Sequence, residues 1–187
     1  MITIRWYMNM SIKNMWSLDP DETIVATHIK EFFSKNKIQD YELFFPINKQ
    51  LKKIDLNVYN LKTKKTITIQ VKSSRSYEDK GYEYSWHQVH VDKIDPKTVD
   101  IFVFVSYFSV ITGKSRMIKP EFIVIPTSKL LDIVKKNKTI KKNGEYHFSF
   151  NLDGDYFGDY SYLQSHINPE NGIDFSKYLN KFELVKN

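Results

Sequence analysis

The stretch "VDIFVFVSYF", Val99 to Phe108, constrains this chain more than any other. It is nearly all apolar and rich in β-branched and aromatic residues. A strand of that kind needs cover on both faces, so it belongs in the centre of a sheet with packed layers above and below. A chain of 187 residues with 41% hydrophobic and 15% aromatic residues can supply that cover. It reads as a folded protein of one domain over residues 1–187, not as a disordered tail.

The flanking segments fill in the layers. Ile2, Ile4, Trp6, Met8, Met10 and Ile12 alternate with more polar residues, the pattern of an edge strand or of an arm reaching a partner. In "LDPDETIVATHIKEFFSKNK", Asp19 suits the N-cap and Pro20 the first helical position. Val25, Ile29, Phe32 and Phe33 then form one stripe of an amphipathic helix ending near Asn36. "DYELFFP" is a short strand ending at Pro46. "GYEYSWHQVHVDKI" fits a strand or a short helix. "EFIVIPTSKLLDIVKKNK" is a strand to Ile125 followed by a helix capped by Thr127 or Ser128. Beyond Asn143 the chain is rich in Gly, Asp, Tyr and Asn, and "DFSKYLNKFELV" is expected to close it with a short helix. This order predicts an α/β fold: a mixed β-sheet flanked by helices, with its core over about 19–126, an N-terminal arm 1–18 and a C-terminal extension 127–187.

The segment "KKIDLNVYNLKTKKTITIQVKSS", Lys52 to Ser74, reads as a hairpin. Side chains alternate across a strand. Ile54, Leu56, Val58, Ile67, Ile69 and Val71 therefore share an aliphatic face, and Lys53, Asp55, Asn57, Gln70 and Lys72 fall on the other. A four-residue loop, Leu61 to Lys64, pairs Asn60 with Lys65. That register sets Asp55 opposite Gln70 and Lys53 opposite Lys72. Directly opposed Cβ atoms lie about 5 Å apart. The sequence thus predicts a carboxylate and an amide oxygen side by side, with an ammonium next to them.

Such a cluster has a use. A hard divalent ion such as Mg²⁺ takes oxygen ligands from one or two carboxylates and keeps several waters. Beside a phosphodiester it polarises the phosphorus and acidifies a water. A neighbouring lysine orients that water or stabilises the developing charge. Glu22 heads the helix stripe that faces the sheet and is a further oxygen donor; Asp19 and Glu22 also have the spacing of an N-terminal capping pair. Glu31 sits with His28, Ser34 and Lys35 on the polar side and is set aside. The polar hairpin face equally suits an ordinary solvated antiparallel pair. The joint occurrence of Asp55, Gln70, Lys72 and Glu22 favours a site.

The formal charge of +6 fits a polyanionic partner, nucleic acid before membrane, and fits a merely soluble basic protein as well. There is no cysteine, which excludes disulfides, zinc fingers and cysteine nucleophiles. No apolar run approaches the roughly 18–20 residues of a membrane span. The first residues lack the continuous apolar centre of a signal peptide, so a cytoplasmic protein is expected.

The order of these residues, a helix with Glu22, a strand with Asp55 and a strand with "QVKSS", resembles the PD-(D/E)XK nuclease superfamily of restriction endonucleases, Mrr-like enzymes and archaeal Holliday-junction resolvases. The resemblance spans Asp19 to about Phe108. It implies a restriction-endonuclease-like core and metal-dependent hydrolysis of phosphodiester bonds in DNA. Carried over by position, it makes Asp55 the central metal ligand, Gln70 the counterpart of the second acid, Lys72 the catalytic lysine and Glu22 the helix acid. The backbone carbonyl of Val71 is implied as a further ligand. Two positions depart from the pattern. Ile54 stands in place of the proline, and Gln70 ligates a cation without adding charge, which lowers metal affinity.

The expectation is therefore a Mg²⁺-dependent DNA endonuclease of restriction or defence type, with Mn²⁺ substituting and a homodimer cutting both strands. A Holliday-junction resolvase or DNA-repair nuclease of the same fold is the alternative within the class. A non-catalytic DNA-binding module with a degenerate nuclease fold is the alternative outside it. DNA contacts are expected from Ser73, Ser74 and Arg75 after the lysine, from Lys53, from Lys62, Lys64 and Lys65 at the hairpin tip, and from His87 and Gln88 in "SWHQVH", which also fits a half-buried strand. The C-terminal extension is expected to supply DNA recognition or dimer contacts. His87 and His90 lack a third zinc ligand, and "DGDYFGDY" lacks the remaining ligands of a calcium loop.

Overall fold

The computed structural model describes residues 20–46, 53–79, 82–112, 115–137, 140–153, 156–159 and 172–186. The expected N-terminal strand and the Asp19 cap lie outside these residues. Helix α1 is Pro20–Lys35. Strands β1 (Tyr41–Phe44), β2 (Leu56–Asn60) and β3 (Thr66–Ser74) follow, then β4 (Ser76–Asp79) and β5 (Tyr82–His90). The long pair β6 (Ile101–Thr112) and β7 (Ser115–Pro126) leads into α2 (Thr127–Asn137). Strands β8 (Glu145–Asp153), β9 (Tyr156–Asp159) and β10 (Ile173–Asp174) complete the set.

The described strands form two five-stranded sheets, ordered β1-β2-β3-β6-β7 and β10-β9-β8-β5-β4. The first is mixed, because β3 and β6 run parallel while its other pairs are antiparallel. The apolar run becomes β6, an interior strand buried on both faces. Its Ile101, Val103 and Val105 pack under α1 with Val25, Ile29, Leu56 and Ile69. Phe102, Phe104 and Phe108 pack the other way, against Val89, Phe148 and Phe150 of the second sheet. The α/β fold with a mixed sheet is therefore as expected.

The second sheet was not foreseen as a layer. Its β8, together with Phe175 and Tyr178, makes about a third of one core. Residues after 127 thus build the body of the protein as well as extending it. The closing helix is replaced by two 3₁₀ turns, Ser176–Tyr178 and Phe182–Lys186. Between them Asn180 takes a left-handed φ of 55°. Its side chain accepts the Phe122 N–H at 3.1 Å and donates to Glu121 at 2.7 Å, which holds the break in place.

The hairpin has the expected register: Leu56 faces Ile69 and Asn57 faces Thr68. The loop is Leu61 to Lys64, closed by Asn60 N–H to the Lys65 carbonyl at 2.8 Å. The Asn60 side-chain oxygen accepts the N–H groups of Lys62 and Thr63, both at 2.9 Å. On the other flank, Asp100 clamps β3 to β6. Its carboxylate accepts the Thr68 N–H and hydroxyl, each at 2.8 Å, and its own N–H donates to the Thr68 hydroxyl at 3.0 Å. β3 is fixed from both sides two residues before Gln70.

Candidate active site

β2 begins one residue after Asp55, yet the ladder continues through that residue: its N–H donates to the Ile69 carbonyl at 2.8 Å. Asp55 therefore stands level with Gln70. One of its oxygens, Oδ2, accepts the Val71 N–H at 2.7 Å and an N–H of the Gln70 amide. The same Gln70 nitrogen also lies 3.3 Å from the Val71 carbonyl oxygen. A carboxylate oxygen, a backbone carbonyl and an amide end thus meet around one atom. Gln70 is buried, at 5% exposure.

Ile69 and Val71 point toward α1, so alternation turns Gln70 and Lys72 to the other face. Lys72 is half-buried and paired along the sheet with Phe104. Lys53 does not sit opposite it. The chain bends there, and the Lys53 ammonium lies 3.8 Å from Asp95.

The first turn of α1 is anchored to the same strand. Asp21 accepts hydrogen bonds from the hydroxyls of Ser73 on β3 and Tyr107 on β6. Glu22, next to it, is buried in the inward stripe with Val25, Ala26, Ile29 and Phe33, as its spacing predicts. Asp21 itself was missed. Its signal was its place in the first helical turn beside Glu22. Among the described residues no three His, Cys, Asp or Glu side chains converge as a metal-holding group. Neutral oxygens from Gln70 and Val71 would have to complete any donor set around Asp55.

The expected DNA contacts divide by place. Ser73 is exposed but donates to Asp21. Ser74 accepts the Trp86 N–H at 3.0 Å and donates to the Arg75 carbonyl at 3.0 Å. Arg75 and Gln88 are exposed. Lys62, Lys64 and Lys65 are exposed at the hairpin tip, with Lys62 2.6 Å from Asp40. That tip lies at the opposite end of β2 from Asp55, a strand length of roughly 17 Å away.

His87 is placed inside the protein, at 2% exposure, and away from any surface a DNA strand would meet. Its ring packs edge-on to Phe104, with centroids 5.3 Å apart. Nε2 lies 3.1 Å from the Ser106 hydroxyl and 3.3 Å from that of Ser85, and the Ser85 hydroxyl donates to Ser106 at 2.7 Å. Burial first, and then the Lys72 ammonium, lower the His87 pKa to about 3. This neutral cluster was also missed. A serine inside the apolar run, Ser106, was its trace in the sequence.

No protein-family model matches the sequence, and a search of curated proteins gives no match. Among solved structures, the chain is similar to a bacterial homing endonuclease at 14% identity and a TM-score of 0.39, with 86% of each chain covered. Among the described residues no helix is long and apolar enough to cross a membrane.

Proposed function

We propose that the chain is a metal-dependent DNA endonuclease, Mg²⁺-loaded and of restriction or defence type, with its active site at Asp55, Gln70, Val71 and Lys72. The observation that carries this reading is the shared contact: Asp55 Oδ2 and the Val71 carbonyl both border the Gln70 amide nitrogen. These are hard oxygen donors, the kind a small divalent cation takes. An amide turned end for end presents its oxygen where its nitrogen was, and the two ends are alike in shape. The residues present therefore fit such an ion, with Asp55, Gln70 and the Val71 carbonyl as its holders; Glu22 heads the helix packed on the Ile69 and Val71 face of β3. A bound cation would supply Lewis acidity toward the phosphodiester and an acidified water.

The protein's own groups do the rest. The Val71 N–H fixes the orientation of Asp55 before any ligand arrives. Lys72 follows two residues after Gln70 and offers an ammonium on the same face, suited to negative charge developing on phosphate oxygens. Arg75 is exposed just beyond it and suits a backbone phosphate. Cutting a duplex on both strands calls for two such sites, so we assign a homodimer as the working form.

Nicking of supercoiled plasmid in Mg²⁺ tests the reading. Wild type should cut, EDTA should stop it, and Mn²⁺ should restore it. Asp55→Ala and Lys72→Ala should each lose on the order of 10²–10³-fold in rate. A four-way junction run in parallel separates a resolvase from a duplex cutter. If wild type and variants bind DNA alike and none cuts, the chain is a binding module, and the Gln70–Asp55 contact is a structural pair.

A further inference from the structure

We infer that the outer half of the β6–β7 pair is a DNA-reading arm, a two-stranded ribbon that enters the major groove of a duplex. The choice of DNA as partner rests on the reading above; the ribbon's form and charge stand independently. β3 accompanies β6 only as far as the Ser74–Ser106 pair. The β6–β7 ladder continues without it, from Tyr107–Pro120 to Thr112–Ser115. At about 3.3 Å per residue that is an arm of roughly 20 Å.

The base of the arm is held. Ser109 N–H and hydroxyl donate to the Glu83 carboxylate of β5 at 2.8 and 2.7 Å. The Tyr107 hydroxyl donates to Asp21 of α1. A ribbon braced at its root arrives pre-oriented, which lowers the ordering cost of binding.

Its direction is informative. β6 is parallel to β3, so the arm leaves the sheet at the end where Lys72, Ser74 and Arg75 lie. The hairpin-tip lysines are at the other end. A duplex lying across Lys72 and Arg75 would therefore meet the arm and not that tip.

Its surface is unusual for a solvated ribbon. Ile118 is 72% and Met117 56% exposed, on the edge strand of the first sheet, whose ladder runs along β6. Exposed aliphatic edges of this kind invite aggregation unless charge or a partner protects them. From Tyr107 to Pro120 the sequence carries Lys114, Arg116 and Lys119 and neither Asp nor Glu; the Lys119 ammonium, 61% exposed, pairs with the buried Glu121 at 2.6 Å just beyond. Cations beside bare aliphatics suit a duplex groove: phosphates on its rims, and thymine methyl groups on its floor. The major groove, about 12 Å wide, admits a two-stranded ribbon. Two copies of so basic an arm would repel each other, which argues against self-association through it.

Binding without metal isolates this proposal from catalysis. Fluorescence anisotropy in EDTA, with a labelled duplex pool of randomised sequence, gives affinity as a function of salt. Arg116→Gln with Lys119→Gln should lower the slope of log affinity against log salt by about 0.9 per lost phosphate contact. Selection from the same pool should return a preferred sequence with wild type, and Ile118→Ser should erase that preference while leaving the salt slope unchanged. Ile118 and Lys119 are exposed, and thermal unfolding checks that each variant still folds.

An unaltered slope and an unaltered preference would overturn the arm. So would sedimentation showing a wild-type dimer that Ile118→Ser turns into monomer, since the aliphatics would then be a subunit contact. A protein that binds through the arm but never cuts sinks the nuclease reading and leaves this one standing. One that cuts normally in both variants does the reverse.

Discussion

Two polar clusters lie close to Lys72, and they have opposite characters. Asp55, Gln70 and Val71 meet at the end of a hairpin, with a carboxyl group that accepts two N–H groups at the centre. Ser85, His87 and Ser106 meet between the sheets, without an acid, among Phe104 and Phe150. Both are built from polar residues carried on, or next to, strands whose neighbouring positions are apolar. What separates them is the layer above. β5 is covered by the first sheet on its Ser85–His87–Val89 face, so a histidine there is forced neutral. Asp55 stands just outside β2, where the chain bends and that strand ends, and it is half-buried. An acid is accommodated where cover stops, and a neutral hydrogen-bonded group where it is complete.

The largest effect expected from this contrast is acid sensitivity of the sealed cluster. His87 has a folded pKa near 3 against an ordinary 6.5. The unfolded chain therefore takes up a proton below 6.5 that the folded chain refuses. Stability is full above that pH and falls steadily between 6.5 and about 3. By pH 5 the loss from this one group is about 2 kcal/mol. His87→Phe keeps an aromatic ring between Phe104 and Phe150, leaves the Ser85–Ser106 bond intact and removes the titration. Denaturant unfolding at neutral pH and at pH 5 should show the wild type losing more stability than the variant. Equal losses would mean that the cluster is open to water and that the contrast fails.

The second test acts on the open cluster. Gln70→Glu removes the donor that now faces Asp55 and sets two carboxylates in contact. Without metal the variant should unfold at a lower temperature than wild type, because like charges are buried together. With Mg²⁺ it should recover more than wild type does, since added negative charge raises cation affinity. A tenfold gain, about 1.4 kcal/mol, is the expected size, read by calorimetric titration with Mg²⁺. An identical Mg²⁺ response in both proteins would show that the amide end does not face the ion.

How much of this was legible beforehand follows from where the information sits. The hairpin register was legible because alternation and a four-residue loop are local, and both agree on Asn60 facing Lys65. β6 was legible because only an interior strand tolerates such a run. The second sheet was not, because β5 pairs with β8, whose partner residues, such as Phe148 for His87, lie far along the chain. Without that partner "SWHQVH" shows polar residues on both faces. The side carrying Val89 turns inward and takes His87 with it, while Gln88 stays exposed. The closing helix failed on one residue: Asn180 gains two side-chain hydrogen bonds by leaving helical geometry, a tertiary reason that no local propensity contains.

The smallest expected effect bears on which local feature holds the open cluster together. Asn60→Ala removes the acceptor for the Lys62 and Thr63 N–H groups, both exposed in the turn. Such a loss costs about 1 kcal/mol or less, because water replaces the lost bonds. If the turn alone fixed the facing of Asp55 and Gln70, this variant would slip in register and lose Mg²⁺ binding and nicking together. β3 has a second hold in the Thr68–Asp100 clamp, two residues before Gln70. A one-residue slip would also turn Ile69 and Val71 out of the core under α1. The variant should therefore unfold slightly earlier and keep wild-type Mg²⁺ affinity. Loss of the ion at undiminished stability would move control of the site from the clamp to the turn.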